Sequence, residues 1–377
     1  MNRLKTKYED IISVENLIAA DQMIRENNDY NYRVAQFDSN WYDNIYLLHL
    51  DLKHFNYTHC GYDVFYMTGP DGKRRKISVC KNYRDRIVQK AAIIVSREGM
   101  VSKLVGNTYA SIPGRGSHKA IRKIKKMMHE TEGDLYCLQG DIRHYFEEID
   151  QQIMLSKLSN IFRDQRIVWL YGQMMAVVDQ GIVLGAEESQ WNANLHLNTL
   201  DHIILQKCKP MNYYRYCDDI VLFDKSKENL EGMMKVIEEH LSSIRLTLKA
   251  SKRIYLIADK RRQKGQRGVG SGVDFLGYVF YRKHTDLRTS TKKRWKRKLH
   301  VLNRVPGISP CSHDDMTAHG SITGLLKHCN SNKLLKTWKN DYPNYFERLR
   351  RRKAAKDAAA QLRKKELATL LQQARRA

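Results

Sequence analysis

Apolar side chains recur at helical spacing over residues 10–26, where Ile11, Ile12, Leu17, Ile18, Met23 and Ile24 share one side, so the chain opens with a helix. A second helix is expected around Trp41, Leu47, Leu48 and Leu50. The pattern then changes to short runs, Tyr62 to Tyr66 and Lys76 to Val79, flanking Gly69-Pro70-Asp71-Gly72, whose Pro-Asp-Gly suits a tight turn. This predicts a hairpin carrying Lys73, Arg74, Arg75 and Lys76. Helical spacing returns near 84–97, and Ser117 is placed to cap a helix that runs to about 131 and stops near Gly133.

Leu135 to Asp141 reads as a strand, Asp150 as the start of a helix to about 163, and 167–177 as another helix. A loop through Gly181 and Gly185 leads into a long helix at 189–208 that Pro210 ends. Two strands, Tyr213 to Tyr216 and Ile220 to Phe223, enclose Cys217-Asp218-Asp219, and Ser226 caps a helix to about 243. Strands are expected near 246–249, 253–257 and 274–281. This order suits an α+β fold with a split βαβ, ferredoxin-like sheet and helices on one face. A helix at 290–304 and a basic helix or tail from Ala354 to Ala377 complete the reading.

At 377 residues the chain is long enough for two or three compact units, and its 42% hydrophobic content excludes a broadly disordered class. Charge adds more: 66 Lys and Arg stand against 41 Asp and Glu, a net charge of +25. So large an excess opposes compaction unless an anionic partner offsets it, and nucleic acid is the expected partner. Sixteen Lys and Arg face three acids in residues 251–300, and eleven face three in 344–377, so the excess lies in the C-terminal third. No apolar run approaches the ~20 residues of a membrane span. The N-terminus lacks a secretory h-region, and the seven scattered cysteines contain no C-x-x-C, so a reduced, cytoplasmic setting without a membrane partner is expected.

The candidate chemistry centres on Asp218 and Asp219, two carboxylates at a strand-turn-strand bend. Such a pair is common in ordinary turns and also repels itself unless a cation is near. Asp141 closes another predicted strand, where a strand-end cap and a metal ligand are both open readings, and Phe146 follows five residues later. Adjacent strands would bring Asp141 and Asp218 to the same pair of Mg²⁺ ions, the arrangement used for in-line phosphoryl displacement. Three other readings fail on spacing. Cys311, His313, His319, His328 and Cys329 lack a zinc-site C-x₂₋₄-C, the glycines of 265–272 open no helix, and Gly69 to Lys73 lacks the P-loop Ser or Thr.

Five ordered segments resemble those of reverse transcriptases: Arg84-Asp85-Arg86-Ile87-Val88-Gln89, Gly114 to Ala120, Asp141-Ile142-Arg143-His144-Tyr145-Phe146, Tyr216-Cys217-Asp218-Asp219 and Asp274-Phe275-Leu276-Gly277-Tyr278. Leu184-Gly185-Ala186-Glu187-Glu188-Ser189-Gln190 resembles the L-G-x-x-x-S-Q block of diversity-generating retroelement enzymes, where other members usually show Q-G-x-x-x-S-P. The resemblance implies a right-hand polymerase: an N-terminal helical segment at 1–30, fingers at 31–133, palm at 134–283, helical thumb at 284–343 and a basic tail at 344–377. It implies RNA-directed DNA synthesis with errors at adenines. Retron, group II intron-like and phage-defence enzymes are the alternatives within the family, and a non-catalytic RNA-binding scaffold is the alternative outside it.

By the same resemblance, Asp141, Asp218 and Asp219, with the carbonyl of Ile142, would hold two Mg²⁺ ions, and Lys252 would protonate departing pyrophosphate. Lys73 and Arg75 would hold the incoming dNTP, Phe146 would exclude a 2′-hydroxyl, and Leu184, Gly185 and Gln190 would lie at the nascent base pair. Arg115, Tyr216, Lys292, Lys293, Lys296 and Arg297 would contact template RNA and the RNA–DNA duplex. Two departures stand out: Ile112 occupies a position that often holds Arg, and Glu187 and Glu188 are acidic in a segment expected near nucleic acid. The resemblance further implies a structured element RNA and a small basic, ring-forming accessory protein.

Overall fold

The computed structural model describes residues 3–26, 32–69, 74–260 and 270–374, with side chains to residue 363. The strands are β1 (Tyr62–Thr68), β2 (Arg74–Cys80), β3 (Tyr136–Asp141), β4 (Asn212–Tyr216), β5 (Asp219–Asp224), β6 (Arg253–Leu256), β7 (Val273–Phe275), β8 (Tyr278–Phe280) and β9 (Thr285–Leu287). The helices before the second sheet are α1 (Tyr8–Ile12), α2 (Val14–Arg25), α3 (Tyr32–Asp38), α4 (Trp41–Lys53), α5 (Tyr83–Lys103), α6 (Ser117–Glu130), α7 (Tyr145–Glu148) and α8 (Gln151–Ile161). They continue as α9 (Gln165–Met175), α10 (Glu187–His196), α11 (Asn198–Ile203) and α12 (Lys227–Ser243). After β9 come α13 (Thr289–Leu302), α14 (His313–Leu326), α15 (Asn332–Asp341) and α16 (Pro343–Ala374).

The fold is α+β, as expected. Its larger sheet is antiparallel and ordered β4-β5-β3-β6, with α12 packed on β3, β5 and β6. Buried Leu138, Ile220 and Leu222 on the strands meet Leu230, Met233, Ile237 and Leu241 of α12, whose spacing makes one apolar stripe. Asp150 and Ser226 cap α8 and α12, accepting from the N–H groups of Ile153 and Asn229 at 2.9 and 3.0 Å. The β1–β2 hairpin pairs Tyr62 with Cys80 through Thr68 with Arg74.

The chain divides into two compact units, residues 1–257 with 269–271, and residues 258–268 with 272–377. In the first, one core runs from Tyr8 to Leu246, so the N-terminal helices, α5 and the sheet share it. Buried Asp21 ties the N-terminus in, accepting from Tyr83 Oη at 2.7 Å and Trp41 Nε1 at 2.9 Å. The second unit holds the β7-β8-β9 sheet and α13 to α16, around Trp295, Leu299, Ile322 and Trp338. The contacts thus group β7 and β8, assigned above to the palm, with the C-terminal helices. Among the described residues no helix is long and apolar enough to cross a membrane, and no two cysteines form a disulfide.

Several elements differ from their expectation. The opening helix is two, because Ser13 accepts from the Asn16 N–H at 3.2 Å and starts a new one. Gly116 at φ +85° precedes α6, so Ser117 is its first residue rather than its cap. The helix expected at 189–208 is α10, α11 and a π-turn at 204–208, closed by the Lys209 N–H on Ile204 O at 2.8 Å. Apolar spacing continues through that break, so the pattern does not register it. The strand expected at 274–281 is the β7–β8 hairpin, turning through Leu276 at φ +54° and Gly277 at φ +84°. Residues 246–249 form only a bridge, Leu248 opposite Ile142. The helix expected from Ala354 is part of the longer α16, which takes in the basic tail expected from 344 and begins at Pro343, a residue that suits a first helical position.

Candidate active site

Strand register brings the acids together. Asp141 at the end of β3 lies directly opposite Asp219 at the start of β5, and Tyr216 opposite Asp219 leaves Cys217-Asp218 as a two-residue hairpin loop. The Ile142 N–H donates to the Asp218 carbonyl at 3.3 Å, joining that loop to β3. Burial first, and the negative charge of Asp141 second, hold the Asp218 carboxyl above its ordinary range, with Lys249 opposing them. The Lys249 ammonium is paired with the Asp141 carboxylate. Its backbone is fixed there too, because the N–H groups of Lys249 and Arg143 donate to Asp141 O and Thr247 O at 2.8 and 2.9 Å.

This donor set fits Mg²⁺. The oxygens are hard, a lysine ammonium already stands beside one carboxylate as a cation would, and burial penalises the uncompensated charge of Asp218. Among the described residues no three His, Cys, Asp or Glu side chains form a ready-made metal cage. Mg²⁺ ordinarily takes one or two protein carboxylates and completes its shell with water and substrate phosphates. Lys252 is elsewhere, paired with Glu238 of α12. The lysine at the carboxylates is Lys249, which nothing in the local sequence separated from its neighbour.

A cavity of about 310 Å³ lies beside Phe146, with Arg75 and Leu184 also in its wall. Three of the residues expected at the nucleotide therefore converge, whereas Lys73 lies outside the described residues. Lys76, His144 and Gln180 join the lining and were not expected there. Lys76 was signalled by the basic hairpin, but His144 and Gln180 had no distinguishing pattern. His144 sits at φ +40° and pairs with Glu147 at 3.0 Å.

Two glycines hold this wall by lacking a side chain. Leu184 O accepts from the Ser78 N–H of β2 at 3.2 Å, and a Cβ on Gly185 (φ +119°) would lie 2.7 Å from Ser78 O. One loop earlier, the Ile182 N–H donates to Phe146 O at 2.8 Å, and a Cβ on Gly181 (φ +77°) would lie 2.5 Å from that same oxygen. Gln151 Nε2 reaches the carbonyls of Met175, Val178 and Gly181 at 3.1, 2.8 and 2.9 Å and shapes the loop between them. Gly185 thus acts through close backbone approach.

Gln190 lies outside that lining, its Oε1 accepting from Ser111 Oγ at 3.4 Å. Arg115 braces its own loop, with Nη1 on the carbonyls of Val105 and Thr108 at 2.5 and 3.2 Å. The two unexpected glutamates have structural partners. Glu187 pairs with Lys90 of α5 at 2.5 Å, and Glu188 is 1% exposed beneath the hairpin, beside Ser189 and Tyr62.

Burial pushes the Glu188 carboxyl up to about 8 from 4.5, the Glu187 charge adding to it. A group raised on folding contributes stability that is full below its unfolded pKa and lost as pH rises through the folded one. Wild type should therefore lose a few kcal/mol relative to Glu188→Gln between about pH 5 and 9. Urea midpoints at several pH values measure this, and parallel curves for the two proteins would refute it.

In the second unit, α13 buries Trp295 and Leu299 and exposes Lys293, Lys296 and Arg297, while Lys292 lies 3.6 Å from Asp286. The exposed three lie at i, i+3 and i+4 and share one basic face of the helix.

A family model described as reverse transcriptase (RNA-dependent DNA polymerase) matches residues 68–280. Protein YkfC of Escherichia coli strain K12 is 24% identical over 264 residues, covering 58% of this chain and 66% of YkfC. Among solved structures, apo telomerase from Candida tropicalis aligns with a TM-score of 0.48 at 11% identity, covering 65% of this chain and 52% of that one. Telomerase from Candida albicans with a fragment of telomeric RNA aligns with 0.47 at 12%, covering 77% and 54%. The chain thus spans just under two thirds of YkfC and little more than half of these telomerases. With the family match extending over more than half of its length, and with its acids brought into register on one sheet, this chain belongs to the reverse transcriptase family.

Proposed function

We propose that this chain is a Mg²⁺-dependent RNA-directed DNA polymerase of the diversity-generating retroelement type. The observation that carries the polymerase reading is the register of Asp141 against Asp219, with Asp218 joined to the same strand end. Two Mg²⁺ ions held by these carboxylates and the Ile142 carbonyl would activate the primer 3′-hydroxyl and compensate charge on the departing pyrophosphate. The primer oxygen bonds to the nucleotide α-phosphorus as the bond to pyrophosphate breaks. Arg75 and its neighbours on β2 hold the triphosphate, since an Arg fork matches phosphate oxygens. Phe146 fills the space a 2′-hydroxyl would need. Tyr216 and the basic face of α13 meet template and product through contacts that carry no base identity.

Primer extension on an RNA template with dNTPs tests this reading. Wild type should extend only with Mg²⁺, whereas a non-catalytic scaffold would bind the duplex and leave the primer unextended.

Leu184 supports the retroelement type. An apolar side chain in the nucleotide wall, where other family members usually carry Gln, forgoes a polar contact. A contact worth about 1–3 kcal/mol changes nucleotide selection by roughly ten- to a hundredfold. Leu184→Gln should lower misincorporation opposite template adenines by about tenfold, counted by sequencing products from one template. An unchanged error spectrum would remove Leu184 from that role. The retroelement reading brings with it the element RNA and the basic, ring-forming accessory protein.

A further inference from the structure

The strand that presents the aspartate turn carries a guanidinium buried beneath it. Arg215 of β4 and Asp201 of α11 are each 0% exposed and face one another as fork to carboxylate, Nε to Oδ1 at 2.7 Å and Nη2 to Oδ2 at 2.5 Å. Tyr213 Oη and Thr108 Oγ1 donate to the same carboxylate at 2.5 and 3.1 Å, so its oxygens are fully engaged. The remaining guanidinium donors reach Asn194 Oδ1 and O at 3.3 and 3.2 Å, and Cys217 O at 3.0 Å. Two stretches distant from one another in sequence, at 108 and at 194–201, therefore anchor one side chain that ends in the turn.

That last bond is the informative one. Cys217 lies at φ +58°, a conformation that favours glycine, so its surroundings must hold it there. The Cys217 carbonyl belongs to the peptide unit that carries the Asp218 nitrogen. Arg215 grips this unit from one side, while the Ile142 N–H grips the Asp218 carbonyl from the other. The plane from which the Asp218 side chain departs is thus set at both ends. A buried ion pair adds little net stability over an apolar pair of similar volume, so stability alone does not account for a charge here.

We propose that Arg215, locked by Asp201, is a positioning residue that orients the aspartate turn for metal-dependent copying. The inference rests on the polymerase reading of Asp141 and Asp218. Lysine at 215 keeps a charge against Asp201, but its single ammonium cannot hold a bidentate carboxylate and the Cys217 carbonyl together.

The test compares wild type, Arg215→Lys and the paired replacement Arg215→Met with Asp201→Leu, in steady-state primer extension at a temperature where each is folded by circular dichroism. The expected result is a kcat at least tenfold lower in the folded variants, a dNTP KM within threefold, and a severalfold higher Mg²⁺ concentration for half-maximal rate. A merely structural pair would leave kcat and the Mg²⁺ requirement unchanged in any folded variant, and that result overturns the proposal. Loss of folding in both variants also counts against it, since the pair would then be a stability element. Failure of wild type itself to extend a primer would instead overturn the polymerase reading.

Discussion

Asp218→Asn is expected to slow Mg²⁺-dependent primer extension by at least about 10³-fold, a loss of ~4 kcal/mol of transition-state stabilisation. Asparagine keeps the shape of the side chain and removes the charge that a metal ion would meet. In wild type that charge is opposed by burial and by Asp141, which together hold the carboxyl above its ordinary range. Such a raised group contributes stability at low pH that is lost as pH rises through its folded pKa. Asp218→Asn should therefore be at least as stable as wild type in metal-free buffer, by an advantage that grows with pH. Its affinity for an RNA–DNA duplex should be unchanged, because the phosphate contacts proposed above, on Tyr216 and α13, do not involve this carboxyl. Single-turnover extension, duplex binding and thermal melts in EDTA separate the three quantities. Extension within tenfold of wild type would end the assignment of Asp218 as a metal-holding group.

Gly185→Ala should damage the wall of the cavity beside Phe146 where it meets β2. The new Cβ would lie 2.7 Å from a backbone oxygen, Ser78 O, and φ is +119°, so neither a side-chain rotation nor the residue's own backbone relieves the contact. Backbone strain of this kind costs about 1–3 kcal/mol, and the steric contact adds to it. The melting temperature should fall by roughly 5–10 °C. Release of the Leu184 carbonyl from the Ser78 N–H would let the wall move away from β2, and the dNTP KM should rise by about tenfold or more. Gly232→Ala on α12 is the control: its Cβ meets nothing within 4 Å, and alanine favours a helix, so stability should hold or rise slightly. A Gly185→Ala protein with wild-type melting and KM would show that the loop and β2 are not held together as described.

Local features of the chain translated directly into structure wherever a few neighbouring residues decide the outcome. Asp150 and Ser226 cap helices at the positions their side chains suggest, and β3, β4 and β5 fall where alternating and apolar runs stop at turn residues. The convergence of Arg75, Phe146 and Leu184 on one cavity was legible through the family resemblance, since no local pattern joins residues that far apart. The broken helix at 197–208 was not legible, because a change from one hydrogen-bond spacing to another leaves the apolar face almost unaltered. The β7–β8 turn was hidden because Phe275 and Tyr278 lie on either side of it in one apolar run.

By itself the sequence determined the α+β class, the acids at strand ends and the basic surface, since each depends on residue type and short-range spacing. Only the tertiary structure decided which cation meets Asp141, because that choice depends on pairing 247–249 with 141–143, contacts that join residues about a hundred positions apart. It likewise decided that Glu187 and Glu188 face α5 and the hairpin, that Arg115 braces its own loop, and that Arg215 is buried beneath the turn it supports. A charged side chain takes its role from the partners that desolvation forces on it, and those partners come from segments that only folding brings together.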